Sequence, residues 1–429
     1  MLSFRGQANA NQLDVPWKFA QGTSYDPTTN PKGLISFATA ENFLVQQELE
    51  DFTAKVNIPG AALGSYGYST AGGGPRLPQA LAVHLNEYFN PYKPLTGDDI
   101  KFTASATSLH HVFAFCFCGP GEGILTSRPY YGRFEIDFWN ESGVHLVAAD
   151  TYAETCFQTG VVQNFEKALL RSKAEGITIK ALLITNPHNP LGRGYPKATL
   201  VALMKFCQTH QIHFISDEIY GLSVFESGES ETNSFTSALS IDPAGIIDPD
   251  LVHVEYGLAK DFAAPGLRLG ALVTKNRQLQ KSLTAVIRFH SPSGVSVAVA
   301  TAMLEDRQWC RWFIEQMRDR LAHAYKFATR KLRELGIRYL AGANAGMFLW
   351  IDLSPYLPQS DEISNAEREQ ALAQRFIDNG VFLQPGEEHA LTPGWFRLVY
   401  TCKREVLEEG LSRVAATVKP AKVENYEST

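Results

Sequence analysis

The chain has 429 residues, 45% of them hydrophobic, which is enough for a large buried core and more than one core usually spans. Net charge is −6; with no basic excess, nucleic acid is not an expected partner. No apolar run approaches the roughly 18 residues of a membrane span; the longest, VFAFCFC at 112–118, is far shorter. The N-terminus, MLSFRGQANANQL, has no apolar stretch of signal-peptide length. The six cysteines are scattered, as expected of reduced thiols in a cytoplasmic enzyme rather than of a disulfide framework.

The first 30 residues are polar and read as an extended arm. From roughly residue 50 to 300, short apolar runs alternate with amphipathic stretches. The runs are GILTS (123–127), HLVAAD (145–150), KALLITN (180–186) and IHFISDE (212–218); two of the stretches are 165–174 and 197–210. Such alternation predicts crossover units and a mostly parallel α/β sheet. After residue 306 the pattern changes. A long helix over 309–335 is followed by GMFLWIDL (346–353), a helix near 367–379 and WFRLVYT (395–401), which predicts a smaller α+β unit. The expected division is 1–50 as an arm and part of the small domain, 51–305 as the large domain, and 306–429 as the small domain. The tail from residue 419 is polar and is expected to fray.

In open parallel sheets, ligands bind beyond the carboxyl ends of the strands, so the residues after each apolar run are informative. ALLITN ends in NPHNPLG (186–192), whose prolines forbid continuation of strand or helix and leave a turn. HFISDEIY (213–220) places Asp217 and Tyr220 at a strand end. A carboxylate there either caps a helix or pairs with a protonated pyridine nitrogen. EYGLAKDFAAPGLRLG (255–270) sets Lys260 and Arg268 eight residues apart among small residues that allow close backbone approach. A desolvated lysine there can form a Schiff base, and an arginine fork suits phosphate. TASATSLHH (103–111) opens an apolar helix, which is either simply capped or is an anion site. His110 and His111 with Cys116 and Cys118 match no zinc spacing, and no metal is expected. GPGEG (119–123) precedes a strand and reads as a turn, not a dinucleotide loop.

In this order and at these separations, the segments resemble the fold-type-I pyridoxal-phosphate (PLP) enzymes of the aspartate-aminotransferase superfamily, a large domain with a mostly parallel sheet plus a smaller α+β domain. Nearest among them is the 1-aminocyclopropane-1-carboxylate (ACC) synthase branch with its fungal relatives. YDPTTNPKGLISFATAENFL (25–44) and GWFR (394–397) extend the likeness to both ends. The resemblance implies that Lys260 holds the cofactor and moves the α-proton. Asp217 would pair with the ring nitrogen, Tyr220 and Asn189 with the ring 3-oxygen, and Tyr131 would stack on the ring. Ala106, Thr107 and Arg268 would bind the phosphate, Arg397 the substrate carboxylate, and Glu41 would stand near the substrate. It further implies a homodimer in which Tyr68, rather than Tyr66, reaches the partner's phosphate. The family commonly has serines where this chain has Gly257 and Ala259, which puts one phosphate hydroxyl in question; Ser105 or Ser108 could replace it.

These residues serve several outcomes alike, because the α-proton is removed first in each. Glu41 and the AEN stretch point to S-adenosylmethionine and ACC formation. The alternatives are a carbon–sulfur lyase or related elimination or replacement enzyme of fungal secondary metabolism, and a class I/II aminotransferase.

Overall fold

The computed structural model describes residues 2–12, 22–58, 72–230, 232–359, 362–386 and 390–418, and the fold is that of these residues. The tail beyond residue 418 lies outside them. Helix Phe4–Asn11 comes first, capped by Ser3, whose hydroxyl accepts from the Gly6 N–H. It corrects the expectation of an extended arm at this end. The helix buries none of its residues. Side-chain hydrogen bonds hold it on helix Phe134–Ser142, from Arg5 to the Glu141 carbonyl (3.1 Å) and from Gln12 to Asn140 (2.9 Å). With no apolar face there is no periodicity to read.

Strand β1 (Ile35–Ser36) precedes the main sheet. That sheet contains β2 (Ile100–Thr103), β3 (Gly123–Ser127), β4 (His145–Ala149), β5 (Ile179–Thr185), β6 (His213–Asp217), β7 (Val252–Gly257) and β8 (Gly270–Thr274). Their order is β2-β8-β7-β6-β5-β3-β4. Strand β8 pairs antiparallel with both neighbours, and the other pairs are parallel. The predicted mostly parallel sheet is therefore present.

The strands read as continuous apolar runs because helices cover both faces. Successive residues feed two separate cores. Leu182 and Ile184 pack with the helices Val162–Ala174 and Lys197–His210 on one side. Ala181 and Leu183 pack on the other with the helices Ala106–Phe117, Phe134–Ser142 and Arg277–Val286. Phe214 and Ile215 divide in the same way.

The later strands are β9 (Arg338–Tyr339), β10 (Phe348–Asp352), β11 (Val381–Phe382), β12 (Gln384–Pro385) and β13 (Trp395–Val399). Four of them form an antiparallel sheet in the order β12-β13-β10-β9. Strand β11 instead pairs in parallel with β1, which ties the N-terminal segment to the C-terminal part. The helices Arg307–Glu334 and Asn365–Asp378 lie within two residues of their predicted bounds.

Strand β8 fixes the start of helix Ala106–Phe117. Gly270 sits so close to it that a Cβ would lie 2.4 Å from the Ser105 carbonyl carbon and 2.6 Å from the Ala106 nitrogen. Gly270→Ala should therefore lower unfolding stability by about 1–3 kcal/mol through forced backbone movement. Urea denaturation checks this; an unchanged midpoint would contradict the close approach.

Candidate active site

The carboxyl ends of β5, β6 and β7 open into a cavity of ≈ 400 Å³. Asp217 ends β6, buried, and lies in register with Thr185 on one side and Glu255 on the other. Its carboxylate accepts from the Ile219 N–H at 3.3 Å and from the Thr185 hydroxyl at 3.5 Å. Burial, reinforced by the Glu255 charge, pushes its pKa up, while His110 pulls the other way.

Lys260 lies on the single turn Leu258–Asp261 that follows β7. The next residue anchors that turn: Asp261 accepts from the Leu222 N–H (2.8 Å), the Ser223 hydroxyl (2.6 Å) and the Tyr256 hydroxyl (3.1 Å). Lys260 Nζ donates to the Ala40 carbonyl at 2.6 Å. Burial lowers its pKa to about 8, helped by Arg397 and opposed by Glu41 and Asp217. A partly buried, desolvated amine that readily sheds its proton is what a carbonyl-capturing lysine needs.

Arg397 lies on β13 and is buried, with its guanidinium 5.7 Å from the centre of the Phe348 ring. It donates to Asn189 Oδ1 at 2.8 Å and to the Ala38 carbonyl. Tyr220 is buried, packs edge-on against Phe348 (centroids 5.1 Å apart), and keeps its proton because burial raises its pKa. Tyr131 lines the cavity, and burial raises its pKa as well.

Ala106 and Thr107 also line the cavity and begin their helix behind the Ser105 cap. Ser105 holds φ +144 and accepts from the Ser108 N–H, leaving a helix N-terminus that faces the cavity. Arg268, at φ +52, lines the same cavity. Gly257 and Ala259, the two positions where serine was expected, line the cavity too. A Cβ on Gly257 would come 2.8 Å from the Leu269 carbonyl oxygen, so this backbone has no room for a serine there.

The structure thus brings together Lys260, Asp217, Tyr220, Asn189, Tyr131, Ala106, Thr107, Arg268 and Arg397 around one cavity. Glu41 stands outside its lining, although its charge acts on Lys260. Tyr66 and Tyr68 lie outside the described residues. Sequence reasoning missed the wall built from Ser36, Ala38, Thr39 and Ala40, in which the Ala38 and Ala40 carbonyls receive the two cations. No residue type marks such a wall, because backbone carbonyls supply it. It also missed Arg133 and Gln384 on the lining, and it read His110 only as part of a buried helix.

The model of the family described as aminotransferase class I and II matches residues 43–414. The chain belongs to this family. It is 32% identical over 398 residues to the 1-aminocyclopropane-1-carboxylate synthase-like protein 1 of Bos taurus, covering 91% of this chain and 77% of that one. It is 31% identical over 424 residues to the probable aminotransferase sirI of Leptosphaeria maculans, covering 96% and 97%. Among solved structures, the aspartate aminotransferase from Thermus thermophilus with maleate superposes with a TM-score of 0.72 at 22% identity, over 97% of this chain and 99% of that one. The fold is fold type I, and the family is PLP-dependent; the chain is a PLP-dependent transferase or lyase. The residues present fit that cofactor. A desolvated amine, a buried carboxylate, and an arginine with a helix N-terminus on one cavity match its aldehyde, ring nitrogen and phosphate.

Only the neutral Lys260 amine can attack an aldehyde, and Nζ loses its proton as pH rises through about 8. Uptake of PLP by the apoprotein, followed as borohydride-fixed mass on the Lys260 peptide, should therefore rise in rate with pH and reach its midpoint near that value. A midpoint near the usual lysine value would contradict the desolvated setting.

Proposed function

We propose that this enzyme removes the α-proton of an amino acid, with Lys260 Nζ as the base and Arg397 as the anchor of the substrate carboxylate. The observation that carries this is the placement of Lys260, Arg397 and Asp217 on one cavity. When bound, PLP draws electrons away from the substrate α-carbon and so acidifies its hydrogen. Lys260 Nζ, neutral near pH 8, accepts that proton and holds it for redelivery. Asp217 keeps the ring nitrogen protonated. Tyr220 and Asn189 orient the 3-oxygen as donors, and Asn189 also ties Arg397 in place. Tyr131 covers the ring. Ala106, Thr107 and Arg268 hold the phosphate.

The preferred substrates are amino acids with a sulfur leaving group on the side chain, S-adenosylmethionine first, with closure to ACC. Glu41 supports this: a carboxylate near Lys260 suits a sulfonium. A carbon–sulfur lyase or another β- or γ-elimination or replacement uses the same residues on a thioether. Transamination is the second reading, and the name of the Leptosphaeria maculans relative favours it. Purified holoenzyme incubated with S-adenosylmethionine, cystathionine-like thioethers and common amino acids, with an α-keto acid present as amino acceptor, separates the three by product: ACC, a thiol with a keto acid and ammonia, or a keto acid together with the amino acid formed from the acceptor. Arg397→Lys should cost about 2–4 kcal/mol in kcat/KM, through loss of the bidentate fork to a carboxylate. An unchanged kcat/KM on every substrate would remove Arg397 from its role.

We also propose a homodimer in the cytoplasm, with residues 51–305 as the cofactor-binding domain and 306–429, joined by 1–50, as the smaller one. A groove of ≈ 710 Å³ adjoins the phosphate end, sharing Ser105 and Thr107 with the main cavity, and exposed Phe115 and Phe289 line it. That apolar surface supports a partner there. The partner's Tyr68 would complete the phosphate site. Mixing inactive Lys260→Ala subunits with weakened Tyr68→Phe subunits should then raise activity above that of either alone, because one hybrid site regains both groups. No gain on mixing would contradict shared sites.

A further inference from the structure

A second cluster of buried charge stands directly behind Asp217. His110, on helix Ala106–Phe117, is 3% exposed. Its Nδ1 lies 2.8 Å from Asp137 Oδ2 on the neighbouring helix, and its Nε2 lies 3.2 Å from Glu255 Oε2 on β7. Glu255 is 0% exposed, and neither of its oxygens has a hydrogen-bond donor with good geometry. Phe134 and Phe138 pack around the His110 ring, edge-on at 5.0 Å and tilted at 5.6 Å. Glu255 and Asp217 are register partners on adjacent parallel strands. Two carboxylates therefore hold one imidazole, and the buried carboxylate of Asp217 stands beside one of them. Burial and the nearby Glu255 charge both oppose ionisation of Asp217.

We propose that His110 is a positioning residue for the cofactor: clamped between Asp137 and Glu255, it carries the positive charge that offsets Glu255 and lowers the cost of ionising Asp217 against a protonated ring nitrogen. The proposal rests on the reading of Asp217 as the ring-nitrogen partner. Burial disfavours charge on His110, but Glu255 and Asp137 outweigh it and raise its pKa well above the usual value. The ionisable groups facing it are Asp137 from its own helix layer, Glu255 from β7 and Asp217 from β6. Without the imidazolium, the excess negative charge draws a proton into the cluster. A protonated Asp217 donates to the neutral ring nitrogen and offers its N–H⁺ form no counter-charge. Glu255 is thus the group that makes His110 necessary, so neutralising it should remove the need.

The test uses apoprotein of four variants: His110→Gln, Glu255→Gln, the double variant and Asp217→Asn. Affinity for PLP is read by absorbance titration, together with the absorption maximum of the bound cofactor and the melting temperature. His110→Gln should weaken affinity by about tenfold or more, the equivalent of one unit in the pKa of Asp217, and shift the absorption maximum. The double variant should recover most of the affinity, and Glu255→Gln alone should bind at least as tightly as the parent. Affinity and spectrum unchanged in His110→Gln, whatever its melting temperature, overturn the proposal, as does a double variant no tighter than His110→Gln. If His110→Gln does not fold, weakened binding by Glu255→Gln overturns it. Asp217→Asn separates the two claims. Unchanged affinity there defeats the ring-nitrogen reading itself, whereas weakening there with none in His110→Gln defeats the role of His110 alone.

Discussion

The site depends on confining two cations, Lys260 and Arg397, in one cavity where each loses much of its hydration. Like charges in a low-dielectric pocket repel, and each also loses its hydration. The protein answers in two ways. Backbone carbonyls of Ala38 and Ala40, with the Asn189 side chain, take up donors from both groups. The remaining strain falls on the group that can give up a proton: arginine keeps its charge, so lysine yields, and its pKa drops to about 8. The same arrangement that satisfies a buried arginine thus prepares a nucleophilic amine.

That arrangement exists only because distant segments meet. Ala38 and Ala40 belong to the strip after β1, which pairs with β11 far along the chain. The Phe37 carbonyl accepts from the Val399 N–H at 2.9 Å, fastening the same strip beside the strand that carries Arg397. Lys260 comes from the main sheet, and Asn189 from the turn after β5. Four parts of the chain therefore fix the geometry of two side chains, and a shift in any of them changes how both cations are solvated.

The proposed phosphate site follows a different logic. It would use little side-chain charge, since a helix N-terminus and one arginine would supply it. Gly257 and Gly270 let strands and helix approach closely enough to form it. The glycine at 257, a departure from the family's serine, answers to the Leu269 carbonyl oxygen that already fills the space beside it.

The sequence by itself determined the sheet, the order of its motifs and the residues at its strand ends. Apolar runs, turn residues and the spacing from Lys260 to Arg268 are local properties that the chain carries wherever it folds. Asp217, Tyr220, Asn189 and Lys260 were legible because each ends a strand or directly follows one. Helix Phe4–Asn11 was not legible, since it lacks the apolar face by which helices are read. Nor were the carbonyl wall at 36–40 and the His110–Glu255 pair, because their meaning lies in contacts between segments more than a hundred residues apart. His110 in sequence is one histidine of a buried helix. Only the tertiary structure decided that it stands between two carboxylates and behind a third, because burial and proximity set the charge of an ionisable group and neither is written in its neighbours along the chain.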